Sequence, residues 1–122
     1  VLHVSLNENS TNIPYTLGRL FAVYEAVQER ANPGINATIK DKYFNSAAST
    51  PGTIFPILDN LCQKHLRKLD TALRIYYDKQ ITQLKNILGE TNPLRLTLPE
   101  QGSFNLGYYH QKQSIYMKKE EQ

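Results

Sequence analysis

Tryptophan is absent from this 122-residue sequence, and cysteine and methionine occur once each. The lone cysteine, Cys62, excludes an internal disulfide and fits a reducing cytoplasm. There is no run of about 18 apolar residues, so no membrane-spanning helix is expected. A basic leader with an apolar h-region and cleavage site is also missing, which speaks against secretion. No glycine-rich phosphate loop, no D-x-D, no H-x-E and no Glu-rich metal-nuclease cluster occurs. Nor does any stretch alternate apolar and polar residues as a half-buried strand would. These gaps count against an enzyme and against a β fold.

What is present suits one soluble domain. Hydrophobic residues make up 40% and charged residues 20%, with a formal net charge of +3. A chain this long buries roughly two thirds of its unfolded surface, enough for one core without staples. The first residue is Val1 rather than Met, as expected of a processed, trimmed or internally initiated product.

Helical periodicity begins near Tyr15. Leu17, Leu20, Phe21, Tyr24, Val27 and Ala31 share a face of a helix over 14–31, with Arg19 and Arg30 on its far side. Asn32-Pro33-Gly34 ends it, and Asn36 is the expected N-cap of a short helix to about Ala48. There Ile39, Tyr43 and Ala47 point inward, and Lys40 and Lys42 leave on either side. Thr50-Pro51 reads as the next N-cap and N1 pair. Apolar spacing then runs through Leu58, Leu61, Cys62, His65, Leu69, Ala72, Leu73 and Tyr76, and on to Tyr77, Leu84 and Leu88. A single helix over 51–88 is too long for a compact domain, so a break is expected near Asp70-Thr71. Thr97 and Glu100 have capping-box spacing before a last helix to about Lys118. Its inner face is Phe104, Tyr108, Gln111 and Ile115, and Gly107 permits close approach of a neighbour. The fold class is all-α, a compact bundle of about four to five helices. Residues 1–13 form a flexible lead-in, 14–118 one domain, and 119–122 a frayed end.

Cys62 and His65 have C-x-x-H spacing, but no second ligand pair accompanies them, and both sit in an apolar stripe. Core packing explains them better than a metal, and a buried thiol is a poor nucleophile. Glu25, Glu29, Asp41, Asp59 and Asp70 are scattered beside lysines and arginines. The positive signal is charge: Lys64, Arg67 and Arg74 oppose the apolar stripe, with Lys68 at its margin. Phosphate binding asks only for cations along a groove, because counterion release carries the affinity. Tyr43, Phe44, Tyr109 and Tyr116 are aromatics suited to lie against unpaired bases. A merely solvated basic face fits the same residues.

Three stretches carry a resemblance: "LGRLFAVYEAVQERANPGINATIKDKYFNSAASTPGTIFP", "CQKHLRKL" and "LPEQGSFNLGYYHQKQ". In that order they closely resemble the C-terminal segment of the large subunit of type I-C CRISPR Cascade. In that family the same region is also made separately, by internal initiation, as the small subunit. The resemblance covers nearly the whole chain after about residue 15. It implies a non-catalytic helical bundle that packs along the backbone and large subunits of an RNA-guided surveillance complex. The implied partners are those subunits, other copies of the chain, the crRNA–target DNA complex and single-stranded DNA of the opened target, notably the displaced strand. It implies no cofactor, no metal, no membrane and no small-molecule substrate. Base pairing reads the sequence in such complexes, so the protein needs only a basic, shape-matched groove. Charge and helical position alone, not the family, single out Arg19, Lys40, Lys42, Lys64, Arg67, Lys68 and Lys112 as nucleic-acid-binding candidates. The competing expectation is an architectural packing module that never touches nucleic acid.

Overall fold

In the computed structural model, residues 6–121 are described, the last four of them as backbone only. They form five helices, α1 (Ile13–Ala31), α2 (Ile39–Ser49), α3 (Pro51–Leu66), α4 (Thr71–Leu88) and α5 (Leu98–Glu121), and no strand occurs among the described residues. The all-α expectation holds. Residues 1–5 of the expected lead-in and residue 122 of the expected frayed end lie outside the described residues, while α1 already begins at Ile13 and α5 runs to Glu121. Among the described residues, no helix is long and apolar enough to cross a membrane.

α1 is the axis of the molecule. Asn12 caps it, its Oδ1 accepting from the Tyr15 amide at 2.9 Å, and Pro14 occupies the first turn, where an amide hydrogen is not needed. Every residue from Pro14 to Glu25 is buried. The sequence suggested one inward face with Arg19 on the far side; instead α2, α3, α4 and α5 all pack on α1, and little of its first half meets water. Its polar positions are buried because partners reach them from elsewhere, as Gln28 Oε1 accepts from the Ile39 amide at 2.8 Å.

The closest packing lies between α1 and α5, which run alongside each other in the same direction. A Cβ on Gly18 would lie 2.0 Å from the Phe104 carbonyl oxygen, and one on Gly107 would lie 2.0 Å from that of Tyr15. Only hydrogen at both positions lets the backbones approach this closely. Phe104 and Tyr108 are thereby driven into the core at 0% exposure. They meet Phe21 edge-on at centroid distances of 6.0 and 5.7 Å, and Phe44 of α2 closes the cluster at 5.4 Å from Phe21.

Helix ends follow local chemistry. The break between α3 and α4 occurs at the expected place: Asp70 Oδ1 accepts from the Leu73 amide at 2.8 Å and starts a new helix. The restart resets the register. Tyr77, Ile81, Leu84 and Leu88 point inward, whereas Ala72 and Tyr76, expected on the buried stripe, are exposed. The N-cap of α2 is Thr38 rather than Asn36, since Asp41 Oδ2 reaches back to the Thr38 amide at 3.1 Å. The expected box before α5 forms in full. The Thr97 amide donates to Glu100 Oε1 at 2.8 Å and the Glu100 amide to Thr97 Oγ1 at 3.3 Å. Between α4 and α5, Leu96 is buried and its amide donates to the Ser49 carbonyl at 3.0 Å, tying the connector to the end of α2.

Candidate nucleic-acid interface

The seven candidate cations do not form one face. Lys64, Arg67 and Lys68 gather where α3 ends, and positive charge there also suits the carbonyl end of the helix. After Leu66 the chain turns tightly, the Lys68 amide donating to the His65 carbonyl and the Leu69 amide to the Leu66 carbonyl. Buried Leu69 anchors this corner and leaves Arg67 and Lys68 outside. Arg74 joins them from α4, its guanidinium directed at the Leu69 carbonyl at 3.4 Å. Lys68 Nζ reaches Asn32 Oδ1, at the end of α1, at 3.4 Å. Asp70 is the carboxylate of the corner, and it is engaged as the α4 cap. None of Lys64, Arg67, Lys68 and Arg74 makes an ion pair among the described residues. His65 is half-buried beside them. Burial first, and then the Lys68 charge, lowers its pKa from the ordinary histidine value.

Lys40 and Lys112 meet elsewhere, between α2 and α5. Lys40 Nζ stands 5.7, 5.4 and 5.2 Å from the ring centroids of Phe44, Tyr108 and Tyr109, and donates to the Tyr109 hydroxyl at 3.4 Å. Lys112 pairs with buried Glu25 at 3.2 Å and donates to the Tyr108 hydroxyl at 3.0 Å. Tyr108 in turn donates to Glu25; burial first, then this bond, pushes its phenol well above the ordinary tyrosine value. Lys112 also lies 5.9 Å from the Tyr116 centroid. Tyr109 and Tyr116 are largely exposed on the outside of this arrangement.

The other two candidates stand alone. Lys42 is exposed on α2, far around the helix from Lys40. Arg19 is not on the surface at all, at 8% exposure. Its Nε donates to Gln111 Oε1 at 2.9 Å, and its Nη1 has no hydrogen-bond partner among the described residues. Burial lowers its pKa. The side chain lines a cavity of about 520 Å³ together with Glu8, Gln80, Gln83 and Asn86. Its expected place on a solvent face is corrected because α4 and α5 cover that side of α1.

Sequence reasoning missed the role of Glu25, and it placed Arg74 on the basic face without counting it among the seven candidates. The signal for Glu25 was an acid amid a helical apolar run, but its partners lie more than 80 positions away. Cys62 is buried, and burial pushes its thiol up to about 12, the opposite of an activated nucleophile. Among the described residues, no three of His, Cys, Asp and Glu come close enough together to hold a metal ion. The geometry therefore offers two cation groups, one open and one built around aromatic rings.

Comparison with curated proteins yields no match. Comparison with protein families does, over residues 1–116 and so across all of α1 to α4 and most of α5. The chain belongs to the CRISPR-associated protein (Cas_Csd1) family.

Proposed function

We propose that the chain is a non-catalytic component of a CRISPR RNA-guided surveillance complex, the small subunit of a type I-C Cascade. It packs along the backbone subunits and steadies the opened target DNA, notably the displaced strand. Family membership supports the setting. The observation that carries the DNA role is the α3–α4 corner, where four cations gather and make no ion pair among the described residues. Cations with no carboxylate paired to them keep their attraction for phosphate, and each phosphate neutralised releases counterions. Lys42 adds to this open charge from α2.

The test is the triple reversal K64E/R67E/K68E in the assembled complex. All three side chains are exposed or half-exposed at the helix end, so the fold is expected to persist. R-loop lifetime falls, and the log–log salt slope flattens by about 0.7 to 0.9 for every phosphate that is no longer neutralised. Retention equal to the parent's at several salt concentrations overturns the assignment.

An architectural role has its own support in Leu94, Leu98, Leu106 and Met117, which are 65%, 81%, 56% and 51% exposed. Large apolar side chains at such exposure suit contact with neighbouring subunits. That reading expects surface variants to lose assembly before they lose DNA.

A further inference from the structure

We propose that the outer face of α5 around Tyr109 and Tyr116 is a stacking platform for unpaired bases, a site separate from the phosphate-attracting corner. It rests on the reading that the chain meets opened DNA, and it names the part of that DNA which the second cation group takes.

The two tyrosines are seven positions apart, within about 20° of the same helical direction, and separated by about 10 Å along the axis. That rise is about three steps of a stacked single strand at roughly 3.4 Å each. Tyr109 is 52% and Tyr116 43% exposed, so both rings present surface to solvent. Neither ring is loose. Tyr109 is braced edge-on by Tyr108 at 4.9 Å and at a tilt by Phe44 at 6.5 Å, and Lys40 sits 5.2 Å from its centroid while bonding its hydroxyl. Tyr116 has Lys112 beside it at 5.9 Å and shares a shallow groove with Ala26, Glu29 and Ile115. Rings held in place lose little freedom when a base arrives.

Charge decides between a strand and a protein partner. Lys112 is already matched by Glu25, but Lys40 has aromatic neighbours and no ion pair among the described residues. A dry protein surface laid over Tyr109 would bury the Lys40 ammonium against rings without an anion, which is costly. A single strand brings a flat base to the ring and a phosphate to the ammonium together. The face therefore fits a nucleic acid with unpaired bases better than an apolar partner.

The experiment compares two R-loops in the assembled complex, with a displaced strand that is either oligo-thymidine or abasic and carries the same phosphates. Stacking on an aromatic side chain predicts at least about fivefold slower release of the thymidine strand by the parent. In Y109A/Y116A this ratio collapses toward one with the salt slope unchanged, and Y109F, which keeps the ring, retains it. Both tyrosines are exposed, so the alanine variants are expected to fold. An equal ratio in parent and double variant overturns the platform. So does failure of the double variant to enter the complex, which would assign the face to a neighbouring subunit. The corner reading stands or falls separately: K64E/R67E/K68E alters the salt slope and leaves the thymidine-to-abasic ratio in place.

Discussion

Glu25 lies at 4% exposure, and the side chains of Tyr108, Lys112 and Thr38 converge on it. It separates two lysines that look alike in the sequence: Lys112 is spoken for, and Lys40 is not. The same interior imposes an alkaline limit on stability. Burial raises the pKa of Cys62, ordinarily 9.0, to about 12, and holds the phenols of Tyr24, Tyr77 and Tyr108 above their usual value of 10.0. The native state keeps protons that the unfolded chain releases, so stability falls as pH rises. It is fully present below pH 9 and is lost progressively toward about pH 12. Melting temperatures followed from about pH 8 to about pH 11 should drop steadily, and Cys62→Ala should start lower but drop less. The burial behind this was hidden from the sequence. Arg19 read as an outward position and Glu25 as one of the scattered acids, because a helical period cannot tell a solvated polar group from one satisfied inside. For Arg19, Glu25 and Gln28, the satisfying groups are those of Gln111, Tyr108 and Ile39, on other helices.

Among the elements, the α1–α5 pair shows which of two opposing effects wins. Helix propensity alone gives Gly107→Ala a gain of about 1 kcal/mol. The new methyl would instead meet the Tyr15 carbonyl oxygen at 2.0 Å, and backbone cannot rotate away as a side chain can. Overpacking should dominate, with a loss of about 3 kcal/mol in denaturant unfolding. G102A is the control, since nothing lies within 4 Å of a Cβ there, and it should be neutral or stabilising. Gly107 was legible in the sequence as a close-approach position; Gly18, its counterpart, was not. The break at Asp70 and the Thr97–Glu100 box were legible because each is completed within four residues. The α2 cap moved from Asn36 to Thr38 because Asp41 was there to complete it. Of the candidate site, the corner cations were legible as charge opposite an apolar stripe. The Lys40–Tyr109 arrangement was not, because it needs α2 and α5 to meet across 69 positions.

At the scale of the whole molecule, α1 touches every other helix, while α4 packs chiefly on α1 and leaves Ile75 and Tyr76 exposed. Stability should therefore be graded. Amide exchange is expected to be slowest over Pro14–Val27 and measurably faster in α4, which can lift away at the expense of one packed face. Uniform protection of α1 and α4 would show that the bundle opens only as a unit. Because α1 and α5 are the first and last of the five helices, their union also dictates an order of events during synthesis. A nascent chain that has emerged only as far as α4 carries an open trough along α1, where Phe104 and Tyr108 belong. The hydrophobic centre stays unsealed until α5 has cleared the ribosome, so this bundle cannot close helix by helix as it is made.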